Sequence, residues 1–156
     1  MNATLSRRPL RRFWGWGVAC EHLTQEESAR IGMMVQMLGG QITDRTEPQV
    51  SDFTLPAPRI APPAALAAMF SDTPLDRLNH ALGKSYADLA RMWLRQVPHV
   101  PDWVAYPDDE QAVIDILDWA SRHNVAVIPY GGGSSVCGGV EAAVGSSYAA
   151  AVSLDM

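Results

Sequence analysis

In this chain of 156 residues, an apolar run leads directly into a glycine-rich segment. This feature limits the possible folds of the chain more than any other. Residues 125–128, Val-Ala-Val-Ile, carry no charge, which is typical of a strand that is buried on both faces of a parallel sheet. The glycine-rich segment, residues 129–139, follows that strand without a spacer. Open α/β sheets bind their ligands beyond the carboxyl ends of the strands, so this order predicts a ligand-binding loop.

The residues before this loop predict a β-α-β unit. Residues 103–106 favour a strand, because Trp, Val and Tyr are common in sheets. Asp108 and Gln111 have the spacing of a capping box for the helix that follows. Four apolar residues then recur at helical spacing: Val113, Ile116, Leu117 and Ala120. Asn124 is expected to end that helix, and residues 149–154 predict a further strand.

The first half of the chain predicts helices that are joined by extended segments. Residues 24–27, Thr-Gln-Glu-Glu, form a capping box, and Gly39-Gly40 is expected to end the helix that begins there. Residues 47–63 contain five prolines and are expected to form an extended connector. Two more helices are predicted to begin at Thr73 and at Ser85.

Composition excludes several classes of protein. The chain is 47% hydrophobic and 19% charged, which fits an ordinary globular domain and excludes a disordered chain. A formal net charge of -5 argues against nucleic acid as a partner, because that binding depends on Lys and Arg at the phosphates. No run of residues approaches the roughly 18 apolar residues that a membrane-spanning helix needs. A small-molecule partner is therefore expected.

The cysteines, arginines and histidines predict neither a metal site nor an export signal. Cys20 and Cys137 have no C-x-x-C partner, so a disulfide framework and a zinc site are not predicted, and a reducing, cytoplasmic location is expected. Cys20 is interpreted as a buried thiol. The first arginines are interpreted as a solvated arm: Arg7, Arg8, Arg11 and Arg12. The uncharged stretch that follows them is short and has no cleavage pattern, so an export signal is not predicted. The histidines are interpreted as surface or capping residues: His22, His80, His99 and His123.

The glycine-rich segment has the composition of an anion-binding loop. Adjacent glycines at 131–133 can take φ > 0 and approach a ligand closely, so that successive N–H groups point into one concavity. Ser134 and Ser135 add hydroxyl donors. A phosphate-cleaving loop needs a Lys after the glycines, and the G-x-G-x-x-G pattern fails at Val136. The residues fit a pyrophosphate that is bound but not cleaved, and the spacing fits a flexible turn between strands equally well.

Several stretches of the sequence carry a family resemblance. Residues 127–136, together with Pro101-Asp102-Trp103-Val104 and the helix between them, resemble the start of the FAD-binding domain of the vanillyl-alcohol oxidase/p-cresol methylhydroxylase (PCMH) flavoprotein family. Upstream stretches resemble one branch of that family, the alkyldihydroxyacetonephosphate synthases: Phe13-Trp14-Gly15-Trp16-Gly17, Leu55-Pro56-Ala57-Pro58-Arg59, Asp76-Arg77 and residues 83–89. The resemblance implies an α/β (α+β) fold. Residues 1–98 would form a helical and extended N-terminal region, and residues 99–156 the first β-α-β part of a truncated PCMH-type FAD-binding domain.

By this resemblance, the loop is the first of several segments that wrap FAD, and its main-chain amides cradle the pyrophosphate. The cofactor-binding residues that the resemblance implies are Pro129, Tyr130, Gly131, Gly132, Gly133, Ser134, Ser135, Gly138 and Gly139. Members with covalent flavin carry a His in or near this loop, where this chain has Gly and Ser, so non-covalent FAD is implied. Catalytic residues are expected after Met156, and none is predicted within the chain.

The resemblance implies the N-terminal part of an FAD-dependent enzyme, inactive by itself, whose partners are FAD and a small-molecule substrate, with a homodimer left open. The synthase branch exchanges the acyl group of an acylated dihydroxyacetone phosphate for an alkyl group without net oxidation. One alternative is a fragment of an FAD-linked dehydrogenase of 2-hydroxy acids, such as lactate or glycolate. Another is a truncated remnant without enzymatic function.

Overall fold

The computed structural model describes residues 11–19, 22–41 and 46–156. The α-helices are α1 (Gln25–Met37), α2 (Pro74–Asn79), α3 (Tyr86–Trp93) and α4 (Glu110–Arg122). The strands are β1 (Phe70–Ser71), β2 (Trp103–Ala105), β3 (Val125–Tyr130) and β4 (Ala150–Asp155). Short 3-10 helices span Val50–Asp52 and Ala67–Met69. The predictions for Arg7, Arg8 and Cys20 concern residues outside the described ranges.

The strands form a four-stranded mixed sheet in the order β1-β2-β4-β3. Both β2 and β3 pair with β4 in parallel, and β1 pairs with β2 in the antiparallel direction. The predicted β-α-β unit is therefore split, because β4 lies between the two strands that α4 connects. Central β4 is the most buried strand, with Ala150, Ala151, Val152 and Ser153 fully inaccessible to solvent. The α/β architecture predicted from the sequence is confirmed.

Local sequence signals place most helix starts where they were predicted. Capping boxes at Thr24 and Ser85 open α1 and α3, and the Thr73 side chain caps α2. The capping box predicted at Asp108 is wrong: Asp109 caps α4 and accepts a hydrogen bond from the amide of Ala112 at 2.8 Å. Asp109 has the extended backbone of a cap, which leaves Asp108 one residue outside the helix.

Strand β3 is longer than the sequence predicts. It continues through Pro129 and Tyr130, which pair in register with Leu154 and Asp155. Proline is tolerated there because β3 is an edge strand and pairs only with β4. The strand therefore ends with Tyr130, and the loop proper begins at Gly131.

One buried carboxylate fastens the extended connector to the sheet. Asp102 is 3% exposed and accepts hydrogen bonds from the backbone N of Arg59 at 2.9 Å and from its Nη2 at 2.7 Å. The same carboxylate accepts from the amide of Ala151 at 2.7 Å, at the start of β4. Burial would raise the pKa of Asp102, but the hydrogen bonds from Arg59 and Ala151 hold it below its ordinary value.

A buried arginine makes a second attachment of the same kind. The side chain of Arg77 donates to the carbonyls of Pro101 and Pro56, each at 2.8 Å. Arg77 is 4% exposed, so its guanidinium is held by main-chain oxygens away from water. Together with Asp102, it connects α2, the connector and the residues that lead into β2.

Replacing Asp102 with Ala is expected to lower the free energy of unfolding by about 1–3 kcal/mol, because the buried amide of Ala151 loses its acceptor. Urea denaturation of the complete protein measures the change. Glu26→Ala is the matched control, since it removes a carboxylate from an exposed ion pair with Arg30 and should change the stability little. Equal midpoints for the two variants would contradict the role of Asp102.

Candidate functional site

A cleft of about 570 Å³ lies at the carboxyl ends of the parallel strands. Its lining residues come from the end of each parallel strand. They are residues 106–108 after β2, residues 130–133 at the end of β3 and the start of the loop, and residues 155–156 at the end of β4. Residues 11–12 and 15–18 close it from the N-terminal side. The cleft is therefore in the position where open α/β sheets bind ligands.

The structure brings only part of the predicted cofactor-binding set to this cleft. Tyr130, Gly131, Gly132 and Gly133 line it. The remaining members of that set are not among its lining residues: Pro129, Ser134, Ser135, Gly138 and Gly139. Ser135 instead attaches the loop to the turn before α3, because its carbonyl accepts a hydrogen bond from the amide of Lys84 at 2.7 Å.

The three adjacent glycines are needed for different reasons. Of the three, Gly133 alone has a left-handed backbone, with φ 68, and a Cβ there would overlap the hydroxyl of Tyr130. Gly131 and Gly132 have ordinary φ values, so the sequence-based expectation of φ > 0 holds for one of the three. A Cβ on Gly131 would meet nothing within 4 Å, and one on Gly132 would lie 3.8 Å from Nη1 of Arg11. Gly133 therefore shapes the turn, while Gly131 and Gly132 leave open space over the cleft.

The segment from Arg11 to Val18 folds back onto the loop. Arg11 and Val18 form an antiparallel bridge, and Nη1 of Arg11 donates a hydrogen bond to the carbonyl of Gly132. The guanidinium of Arg12 lies 5.1 Å from the centroid of the Trp14 ring. The interpretation of Arg11 and Arg12 as a solvated arm is therefore corrected: Arg11 remains exposed, yet both side chains have partners and both residues line the cleft.

Lys84 joins this N-terminal segment to the loop. Its Nζ donates to the carbonyls of Arg12 at 3.1 Å and Phe13 at 3.3 Å, while its backbone amide binds Ser135. Burial, and after it the charge of Arg11, lowers the pKa of Lys84 to about 8, while Asp88 opposes the shift. No local sequence signal predicts this contact, because the residues are about 70 positions apart.

His80 also lines the cleft, and of the two roles expected for the histidines, surface or capping residue, it has the capping role. It ends α2 as its C-cap, but it is only 4% exposed. Its Nδ1 lies 2.7 Å from the carbonyl of Asp76, and its Nε2 lies 3.3 Å from Oδ2 of Asp155. The ring centroids of His80 and Tyr130 are 4.1 Å apart. The other histidines are exposed: His22, His99 and His123.

Tyr130 connects the start of the loop to the end of α2. Its hydroxyl donates to the carbonyl of Asn79 at 2.8 Å, and burial together with Asp155 raises its pKa to about 12, while Arg11 opposes the shift. The phenol is thus a neutral hydrogen-bond donor that fixes the end of β3. The described residues contain neither a metal-binding group of three His, Cys, Asp or Glu side chains nor a helix long and apolar enough for a membrane span.

The C-terminal part of the chain matches a known protein family. Residues 101–156, which include β2, α4, β3, the loop and β4, match the family model of the FAD binding domain. This part of the chain is similar to an FAD binding domain. FAD is accordingly its cofactor, and the prediction of a PCMH-type domain from the sequence is confirmed.

The chain is also homologous to alkyldihydroxyacetonephosphate synthases. It is 39% identical to the Trypanosoma brucei brucei enzyme over 80 residues, which are 51% of this chain and 13% of that protein. It is 35% identical to the Dictyostelium discoideum enzyme over 91 residues, which are 58% of this chain and 15% of that protein. An alkyldihydroxyacetonephosphate synthase solved in P1 matches 93% of this chain with a TM-score of 0.76 and 27% identity. The chain covers 32% of that structure, so it spans a minor part of each relative.

Gly133→Ala is expected to destabilise the FAD binding domain by at least about 1–2 kcal/mol, because alanine is strained at a left-handed φ and its methyl group would overlap Tyr130. Gly131→Ala is the matched control, since its methyl group meets nothing within 4 Å. Urea denaturation of the two cofactor-free variants measures the difference. If Gly131→Ala is as destabilising as Gly133→Ala, the described turn is wrong.

Lys84 should make stability depend on pH. Its pKa of about 8 in the folded protein lies below the ordinary 10.5, so the protonated side chain opposes folding below pH 8 and this penalty falls as the pH rises toward 10.5. The free energy of unfolding of the wild type, minus that of Lys84→Met, should therefore increase between about pH 8 and about pH 10 in the cofactor-free protein. A difference that is constant or falls over this range would contradict the burial of a charged Lys84.

Proposed function

We propose that this chain supplies the pyrophosphate-binding part of the FAD site in an enzyme of the alkyldihydroxyacetonephosphate synthase type. The observation that carries the proposal is the cleft at the carboxyl ends of β2, β3 and β4, where Gly131 and Gly132 expose main chain beside the guanidinium of Arg11. The homology to synthases from two organisms supports the enzyme type.

The residues present fit a pyrophosphate that is held but not cleaved. Gly132 presents no side chain to the cleft, so main-chain groups can approach the ligand closely. Arg11 provides positive charge at the same point. When bound, FAD supplies the chemistry of its flavin ring, and the protein supplies binding and orientation. Of the predicted set, we propose that Tyr130 to Gly133 face the cofactor and that Pro129, Ser134, Ser135, Gly138 and Gly139 support the loop.

We propose that the cofactor is bound without a covalent bond. Among the described residues that line the cleft, the histidine is His80, and both of its ring nitrogens lie beside oxygen atoms, one of Asp76 and one of Asp155. Each ring nitrogen therefore has a partner within the protein and not a free path to the flavin. This contact supports the non-covalent binding that the sequence resemblance implies.

The relatives support a proposal for the substrate of the complete enzyme. We propose an acylated dihydroxyacetone phosphate, because the matched relatives are alkyldihydroxyacetonephosphate synthases, and this homology favours a synthase over a dehydrogenase of 2-hydroxy acids. Residues 1–156 span 13–15% of these relatives, which supports the proposal that catalytic residues lie elsewhere and that the segment alone is inactive. The boundary near residue 98, the cytoplasmic location and a homodimer stay predictions.

Gly132→Val tests the site directly. Its side chain would extend into the cleft toward Arg11, so the complete protein should purify with little or no FAD. Gly139→Val is the matched control, because a Cβ there would approach the side chains of Ser135 and Cys137 and Gly139 does not line the cleft. Flavin absorbance, measured per mole of purified protein, gives the FAD content of each variant.

The control variant should retain most of its FAD while Gly132→Val loses it. Circular dichroism checks that both variants fold. Full FAD content in a folded Gly132→Val protein would refute the assignment of the loop. Equal loss in both variants would show that the flexibility of the loop matters and not the space over Gly132.

A further inference from the structure

The strongest observation beyond the loop itself is a cationic side chain that comes from the other end of the chain. Arg11 lies 121 residues before Gly132, yet its Nη1 donates a hydrogen bond to the carbonyl of that glycine. The Cβ position of Gly132 lies 3.8 Å from the same nitrogen. A guanidinium therefore stands directly beside the stretch of main chain that faces the cleft.

The segment that carries Arg11 is built to hold this position. The amide of Arg12 donates to the carbonyl of Gly17 at 3.1 Å, and Gly17 has a left-handed φ of 84, which closes the turn. Trp14 packs against Trp93 of α3 in a T-shaped contact, with ring centroids 5.4 Å apart. Lys84 holds the segment by hydrogen bonds to the carbonyls of Arg12 and Phe13. The segment is thus attached to α3 and to the turn before it.

Two basic side chains lie at the glycine end of the cleft. Arg11 and Lys84 lie at the glycine end, where Arg11 acts on the pKa values of both Lys84 and Tyr130. Asp88, the acidic group near Lys84, is 5% exposed and is engaged by the amide of Ser85. Positive charge therefore dominates beside Gly132.

The cleft is also lined by carboxylates: Asp76, Asp108 and Asp155. Asp76 accepts a hydrogen bond from the hydroxyl of Thr73 at 2.8 Å, and Asp155 lies 3.3 Å from Nε2 of His80. Two of the three thus have hydrogen-bond partners within the protein, whereas the guanidinium of Arg11 lies beside the main chain of Gly132.

We propose that Arg11 is a further cofactor-binding residue, which donates charge-assisted hydrogen bonds to the pyrophosphate of FAD, and that Lys84 is the positioning residue that keeps its segment in place. This inference rests on the proposed function. A guanidinium has five N–H donors in a planar fork, so one side chain can bind the carbonyl of Gly132 and phosphate oxygens together. The proposal extends the cofactor site from the loop to residues 11–18, which the family match over residues 101–156 does not include.

The test titrates FAD into the cofactor-free complete protein in wild-type form and as Arg11→Gln, Arg11→Lys and Arg30→Gln. Arg11→Gln should raise the Kd of FAD about tenfold to a hundredfold, the worth of a hydrogen bond to a charged group. Arg11→Lys should lose less, because it keeps the charge but not the fork. Arg30→Gln is the matched control, since Arg30 pairs with Glu26 on the exposed surface of α1 and should leave the Kd unchanged.

Two further measurements separate an electrostatic contact from a general disturbance. Inorganic pyrophosphate should compete with FAD in the wild type and compete less well in Arg11→Gln, and the Kd should depend less steeply on salt in that variant. Lys84→Met should increase hydrogen exchange in residues 11–18, as expected when the segment loses its attachment. Unchanged exchange there would overturn the positioning role.

The outcomes distinguish this inference from the proposed function. If the wild type binds FAD and Arg11→Gln binds it equally well or more tightly, Arg11 does not hold the pyrophosphate and the inference is wrong. If the folded wild type binds no FAD at any concentration tested, the proposed function itself fails. A higher Kd of FAD in Arg11→Gln, with a salt dependence equal to that of the wild type, would also overturn the inference, because it would exclude a charge contact.

Discussion

The carboxylate of Asp102 is the interaction on which the arrangement of this protein depends. It connects Arg59 of the extended connector to the amide of Ala151, where the central strand β4 begins. Because β4 lies between β2 and β3, its position sets the register of both neighbours and the place where all three strands end. A carboxylate that is buried to this degree is stable only with several donors around it, and Arg59 and Ala151 supply them.

The cleft follows from the way these strand ends are covered. Gly83 permits the turn before α3 to contact the loop, because a Cβ there would overlap the carbonyl of Ser135. Gly133 similarly permits the loop to fold over the ring of Tyr130. These two close approaches bring Lys84, and with it the segment of Arg11, to the glycine end of the cleft. The site is therefore assembled from three distant parts of the chain around one sheet edge.

Local signals in the sequence were sufficient for most elements, and contacts between distant residues were not. Capping boxes at Thr24 and Ser85 predicted two helix starts, because a cap depends on residues within one turn. The insertion of β4 between β2 and β3 could not be predicted, since strand order is decided by packing over the whole sheet. For the same reason, sequence reasoning found the glycine loop and missed Arg11 and His80. The resemblance to flavoproteins supplied the cofactor, which spacing alone left undecided.

We propose that the main chain of residues 131–133 holds the pyrophosphate of FAD at the carboxyl ends of the parallel strands. A crystal structure of the complete protein with FAD bound tests it most directly. We expect phosphate oxygens within about 2.7–3.2 Å of main-chain nitrogens of these residues, with the Arg11 side chain in contact with the same group. A pyrophosphate bound away from residues 131–133, with the cleft filled by another part of the cofactor or by the protein itself, would contradict it.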